Sequence, residues 1–243
     1  MNLLDLTLPN PAENLALDEA LLEEAEASST PIETLRVWES PQPLVVIGRG
    51  SKSHEEVQLD FCREEKISVL RRASGGAAIV AGPGCLMYAV VLSLELRPEL
   101  RSLDETHRRV LETMVQATRP FAESVARFGT SDLAWSSFGS PPQKFSGNSV
   151  RLKRRHVLYH GTLLYDFPLD LVSQCLAFAP RQPAYRAGRD HRAFVQNLPA
   201  TASALRKNLA ECWQATTPRT HWPQSRVQTL LAEKYVDPEW AIL

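Results

Sequence analysis

The sequence predicts an α+β fold, one domain built on a largely antiparallel, mixed sheet flanked by helices. Three observations carry this. The chain has 243 residues, the length of one large domain. Short β-rich runs and helical-period segments are interspersed without the regular rhythm of a parallel βαβ protein. No internal repeat and no low-complexity linker divides the chain, so residues 1–243 read as a single domain.

The elements follow in order. Residues 12–27 read as a helix whose apolar stripe is Leu15, Leu21, Leu22 and Ala25, with acids filling the other positions. Residues 34–40 and 43–48 are short β-rich runs separated by Pro-Gln-Pro, which suggests a hairpin-like pair. Residues 56–66 suggest one short helix, and 67–72 a strand that runs into a small-residue turn. Residues 86–96, rich in β-branched side chains, are the longest strand candidate. Ser102 and Glu105 have capping-box spacing before a helix over 103–118, which keeps Val110, Leu111 and Met114 in helical period. Three further strands are expected in 132–138, 143–152 and 155–167. Helices are expected at 169–177, at 200–215 and over 225–236.

Composition narrows the function. Lys plus Arg number 27 and Asp plus Glu 28, a net charge of −1 that disfavours a nucleic-acid binder. No apolar run approaches the roughly 20 residues of a membrane span, and the N-terminus lacks the basic region of a secretory signal. Cys62, Cys85, Cys175 and Cys212 are widely spaced, so the expectation is a reducing cytoplasm and no zinc site. Charge is uneven: residues 1–66 hold 14 acids and 5 bases, whereas 144–192 hold 9 bases and 3 acids. That asymmetry points to an electropositive working region or to solvated loops.

Two stretches carry chemistry. In Arg71-Arg72-Ala73-Ser74-Gly75-Gly76-Ala77-Ala78-Ile79 a strand delivers two arginines to a turn of small residues. Small residues let backbone N–H groups approach an anion, and Arg adds charged donors. A plain Gly-Gly turn between strands is the other reading. Lys144-Phe145-Ser146-Gly147-Asn148 places a lysine beside a glycine, and His160-Gly161-Thr162 begins 16 positions after that lysine. A fixed ammonium suits a phosphate or a developing oxyanion, whereas an exposed strand lysine and an interior histidine are the structural alternatives.

In joint order these stretches resemble the lipoate-protein ligase A family, in the wider biotin/lipoate ligase and lipoyl/octanoyl transferase group. Asn14 to Glu19 resembles its opening helix, and Leu35–Trp38 with Val46–Arg49 its first strand pair. Arg71 to Gly76 matches its RRxSGG signature, Ser131-Asp132-Leu133 resembles its N-D-L strand, and the segments at Lys144 and His160 match KxSGxA and HGTLL. Lys234-Tyr235 followed by Glu239-Trp240 resembles the end of its catalytic domain.

The resemblance implies a class II synthetase/biotin ligase-like catalytic domain. It implies ATP-dependent activation of lipoate or octanoate to the acyl-adenylate, then transfer to a lysine of a lipoyl-carrier domain of the E2 or glycine cleavage H protein type. Mg-ATP and the acid are substrates, with no permanently bound cofactor. Lys144 would contact the acyl carbonyl and the α-phosphate. Arg71, Arg72, Ser74, Gly75, Gly76 and Ala77 would cover the acyl chain and phosphates, with Ser74 a turn residue rather than a nucleophile. Ile79 and Leu163 would line the acyl tunnel, and Asp132 would hold Mg or the adenylate. Ser146, Gly147, Asn148, His160, Gly161 and Thr162 complete the site. The basic stretch 151–155 and the cluster Arg181, Arg186, Arg189 and Arg192 suit phosphates, an acidic carrier or solvent, and residues 178–192 suit a loop that orders over the adenylate.

Ala77 stands where many ligases have a third glycine, and Ala81-Gly82 where many have His-Asp. Residues 1–243 include no counterpart of the C-terminal accessory domain of large family members. A separate accessory subunit, or transfer alone, follows as an expectation. Single-domain transferases carry an acyl-accepting cysteine shortly before the signature lysine, and residues 123–143 contain none. An octanoyl or lipoyl transferase acting without ATP and a non-catalytic relative that binds lipoylated partners stay open as alternatives. A biotin ligase fits less well, because Gly48-Arg49-Gly50 is not continued as a biotin loop.

Overall fold

Strands that read as continuously apolar are those covered on both faces. The computed structural model describes residues 1–137, 139–178, 182–237 and 240. Its elements in chain order are β1 (Asn2–Asp5), α1 (Pro11–Ala27), β2 (Thr34–Glu39), β3 (Leu44–Ile47), α2 (Ser53–Glu56), α3 (Leu59–Glu64), β4 (Ser68–Arg71), β5 (Ile79–Ala81), β6 (Cys85–Ser93) and α4 (Leu103–Thr118). There follow β7 (Ala126–Phe128), β8 (Asp132–Trp135), β9 (Gln143–Leu152), β10 (His156–Leu164), α5 (Asp170–Cys175), α6 (His191–Phe194), α7 (Ala202–Cys212), β11 (Thr217–Pro218) and α8 (Gln224–Leu230). A wide helical turn, Leu231–Tyr235, extends α8.

Among the described residues a large sheet runs β11-β1-β2-β6-β10-β9-β8-β7 and a small one β4-β3-β5. β1 is parallel to β11 and β2, whereas the pairs from β2 to β7 are antiparallel. The α+β class and the mixed, largely antiparallel sheet therefore hold. Side-chain alternation divides the core. Cys85, Met87, Ala89 and Val91 of β6, with Leu158 and Leu164 of β10, pack toward α1, α8 and the small sheet. Leu86, Tyr88, Val90 and Leu92, with Val157, Tyr159 and Leu163, pack toward α4 and α7.

Local caps agree with the sequence. Asn10 accepts from the Ala12 N–H before Pro11 opens α1, and Thr201 caps α7 at Ala204. Ser102 accepts from the Glu105 N–H, but the Glu105 carboxylate goes to Arg108 and Arg109, so only half a capping box forms.

Several expectations change. Residues 34–40 and 43–48 form no hairpin: β2 lies in the large sheet and β3 in the small one. Not all polar positions of helix α1 lie outside the core: Asn14, Asp18 and Glu19 are buried with its leucines, while Glu13, Glu23, Glu24 and Glu26 are half-buried. Asp18 meets Arg36, while Glu19 meets Lys234, Tyr235 and Arg151. Residues 56–66 do not form one helix: α2 ends at Glu56 and α3 begins at Leu59, with Val57 bridging to Leu176 between them. The longest strand is β9, with 10 residues against 9 for β6. Phe138, Arg181 and Glu239 lie outside the described residues.

Candidate active site

The two sheets and the segment 183–195 enclose a slot of about 130 Å3. A dry cavity of about 150 Å3 holds a benzene ring, so the slot is of the size that takes part of a medium acyl chain. β9 contributes Lys144, Ser146 and Gly147, and β10 contributes Thr162 and Leu164. The turn before β5 brings Ala77 and Ala78, continued by Ile79 and Val80. Val172, Leu176 and Val195 add apolar wall, and Glu56, Arg186 and His191 add polar groups.

Lys144 is the cation of β9 in this slot. Its Nζ lies 2.7 Å from Asp132 Oδ1, across the β8–β9 pairing. The other carboxylate oxygen accepts from the Tyr185 hydroxyl at 2.9 Å. Burial, with help from Asp132, pushes the Tyr185 phenol well above its usual value, so it stays a neutral donor. Gly147 makes room for the amine, because a Cβ there would lie 2.8 Å from Nζ. The amine thus keeps donors to spare beside an apolar channel. Asp132 acts as its counter-ion, and no group of three or more metal-ligating side chains occurs among the described residues. The expected Mg role of Asp132 gains no further ligand.

The signature turn is built differently from the expectation. Arg71 Nη1 donates to the carbonyls of Gly48, Arg49 and Ser51, and Nε to that of Trp240 at 2.6 Å. Arg72 donates to the carbonyls of Val46, Gly75 and Ala77. Burial lowers the Arg72 guanidinium to about 10. Neither arginine lines the slot. Through these carbonyls both hold the turn in shape. Gly76 has φ +90°, which the turn requires, and Gly48 lets the chain pass so close that a Cβ would lie 1.9 Å from the Gly76 carbonyl oxygen. An anion does sit on the turn, and it belongs to the chain: Glu56 Oε2 accepts from the Ala78 N–H at 2.6 Å.

Ser74 and His160 belong to a buried relay. Ser74 Oγ is 2.5 Å from His160 Nε2, His160 Nδ1 is 3.3 Å from Asp18 Oδ2, and Asp18 Oδ1 is 2.6 Å from Arg36 Nη1. With the carboxylate on Nδ1–H, Nε2 accepts from the serine. The order Ser–His–Asp is that of a nucleophile and its base, but both Ser74 and His160 are buried and lie off the slot. The relay pins the turn to β10 and α1.

Asn148 is scaffolding as well. It accepts from Tyr88 Oη at 2.5 Å and donates to the Ser131 carbonyl at 2.7 Å. A Cβ at Gly161 would meet Asn148 Oδ1 at 1.9 Å. Thr162 Oγ1 accepts from the Gly147 N–H. Leu163 is not in the tunnel: it points to the α4 face, and Leu164 takes its place in the slot. Gly75 lies in the turn and is exposed. At the far end of the chain, Lys234 Nζ sits 4.3 Å from the Trp240 ring and pairs with Glu19. Burial favours neutral Glu19, but bonds and charge from Lys234, Tyr235 and Arg151 prevail and leave its pKa lowered.

Comparison with known proteins bears on the family and the fold. The family model described as the lipoyl protein ligase A/B catalytic domain matches residues 10–209. The lipoate-protein ligase A of Bdellovibrio bacteriovorus is 27% identical over 191 residues, 78% of this chain and 52% of that protein. The octanoyltransferase LipM of Carboxydothermus hydrogenoformans is 27% identical over 186 residues, 69% of this chain and 65% of that protein. The chain spans about half the length of the first lipoate-protein ligase relatives it matches. A structure of an archaeal lipoylation system, a bi-partite lipoate protein ligase and its E2 lipoyl domain from Thermoplasma acidophilum, aligns with a TM-score of 0.82 at 23% identity, covering 99% of this chain and 95% of that one. A lipoate-protein ligase A bound with ATP aligns at 0.78 and 23% identity, covering 99% and 98%.

Proposed function

The chain belongs to the lipoyl protein ligase A/B catalytic domain family, and from that premise we propose that it is a lipoate-protein ligase: it activates lipoate or octanoate with Mg-ATP and transfers the acyl group to a lysine of a lipoyl-carrier domain. The observation that carries this reading is the Lys144 amine, held by Asp132 in the slot that suits an acyl chain. A carboxylate oxygen of the acid attacks the α-phosphorus of ATP and pyrophosphate leaves. The carrier's lysine amine then attacks the acyl carbonyl, AMP leaves, and the amine loses a proton. In the first step charge grows on the α-phosphate oxygens and the departing pyrophosphate, in the second on the acyl carbonyl oxygen, and one fixed ammonium beside the acyl–phosphate junction serves each. Ser146 and Thr162 flank it in the slot. The apolar wall of Ile79, Val172, Leu176 and Val195 orients the chain and excludes water.

A transferase without ATP is the second reading, favoured by the likeness to the octanoyltransferase LipM. That chemistry passes the acyl group through a cysteine thioester. Cys62, Cys85 and Cys175 are buried and none lines the slot, while Cys212 sits on α7 at the other face of the sheet. The arrangement therefore favours the adenylate route.

In this proposal residues 1–243 form the catalytic domain, Mg enters with ATP, and a separate accessory subunit assists, as the bi-partite archaeal ligase suggests. A reducing cytoplasm suits the four free cysteines. The test is intact-mass analysis of a lipoyl-carrier domain incubated with the protein, in parallel with lipoate plus Mg-ATP and with octanoyl-carrier protein. Labelling from the first donor is expected. Labelling from the second alone makes the protein a transferase.

A further inference from the structure

Arg186 lines the slot and is 4% exposed. Its guanidinium carbon lies 4.7 Å from the ring centre of Phe178 and 4.8 Å from that of Phe194. Nε donates to the Arg189 carbonyl at 2.8 Å. Nη2 is sealed from solvent and has no hydrogen-bond partner among the described residues. A buried, charged donor left unpaired costs free energy unless an anion joins it.

The carboxylates around Arg186 are each engaged elsewhere through at least one oxygen, and none forms an ion pair with it among the described residues. Asp190, four residues further along the chain, acts on the guanidinium through its charge but gives one carboxylate oxygen to the Ala193 N–H at 2.7 Å. Asp132 is committed to Lys144 and Tyr185. Glu56 is held by the Ala78 N–H. The neighbouring Arg189 shows the contrast: its donors go to the carbonyls of Pro142, Tyr185, Arg186 and Ala193. Arg71 and Arg72 likewise bond backbone carbonyls and lie outside the slot. Arg186 combines what they lack, a place in the slot wall and an unspent donor.

We infer that Arg186 is an anion-binding residue of the acyl slot: its guanidinium takes an oxygen of the acid's carboxylate, or of the phosphate joined to that acid on activation. The inference rests on the acyl-ligand reading above. The stacked phenyl rings hold the guanidinium plane before the ligand arrives, which lowers the ordering cost of binding. Asp132 links the two cations of the slot, since it grips Lys144 on one oxygen and Tyr185, the residue before Arg186, on the other.

The test compares the wild-type protein with Arg186→Gln and Arg186→Lys by isothermal titration calorimetry. Three probes are used: octanoate, its neutral isostere octanamide, and octanoyl-sulfamoyl-adenosine, an anionic mimic of the adenylate. Arg186→Gln is expected to weaken one or both anionic probes by about tenfold or more while octanamide changes less than about twofold. Loss confined to octanoate identifies the carboxylate as the anion, and loss confined to the adenosine probe identifies the phosphate position. Arg186→Lys keeps the charge, so its loss is smaller and again restricted to the anions. If Arg186→Gln does not fold, Arg186→Lys decides by the same pattern. Equal weakening of octanamide, or no change for any probe, overturns the inference. Failure of the wild-type protein to bind any of the three overturns the acyl-ligand reading and the inference with it.

Discussion

Gly147→Ala moves the Lys144 amine without touching its charge. The added methyl carbon would lie 2.8 Å from Nζ and 2.9 Å from Cε of Lys144, with Asp132 Oδ1 at 3.9 Å. Ordinary contact between such atoms begins near 3.5 Å, so the amine must retreat by at least about 0.7 Å. The atoms in the way are the far end of a flexible side chain, and Gly147 has no left-handed backbone to strain. Stability should therefore change by less than about 1 kcal/mol, a Tm shift within roughly 4 °C for a chain of this size. Displacing a catalytic group by about 1 Å costs up to roughly 100-fold in rate. Lipoate-dependent ATP–pyrophosphate exchange should fall by about 10- to 100-fold, mainly in kcat. Paired thermal denaturation and exchange assays check both halves. A variant that melts like wild type and exchanges at the full rate would refute the placement of the amine at the reacting carbon.

Gly161→Ala differs in kind, because its Cβ meets Asn148 Oδ1 at 1.9 Å and the Gly147 carbonyl oxygen at 2.8 Å. Overpacking should cost about 1–3 kcal/mol or more, read as a lower denaturation midpoint. Asp18→Ala leaves the buried Arg36 charge without its 2.6 Å partner and frees His160; roughly 3–5 kcal/mol is lost, a Tm drop on the order of 10 °C by calorimetry. Burial holds His107, His156 and His191 below the usual imidazole pKa. The unfolded chain then binds more protons below about pH 6.5, so stability falls as pH drops through that value and recovers above it. His156, with neither ring nitrogen hydrogen-bonded among the described residues and burial outweighing the Glu26 carboxylate 3.6 Å from Nδ1, is the clearest test: His156→Phe should flatten part of this fall in pH-dependent urea midpoints.

Much of the site was legible because signature and lysine are local strings. Their destinations were not. Whether Arg72 meets a ligand or Val46, Gly75 and Ala77 depends on how a turn folds back on β3, which no spacing encodes. The choice of Leu164 over Leu163 is strand parity, where one residue changes the face. The burial of Asp18 and Glu19 was not legible, because their partners Arg36, Arg151 and Lys234 lie far along the chain. Glu56 carried no motif, since only the fold brings it to the Ala78 amide. The strand pair 34–47 failed similarly: two adjacent runs suit a hairpin locally, while partner choice between the sheets is tertiary.

Replacing Lys144 by Ala tests the central claim most directly. Removing a fixed donor at the reacting centre costs about 3 kcal/mol of barrier, or roughly 100-fold. Lipoate-dependent ATP–pyrophosphate exchange should drop by that factor in a protein that still melts cooperatively near the wild-type temperature. Exchange at the wild-type rate would contradict the account.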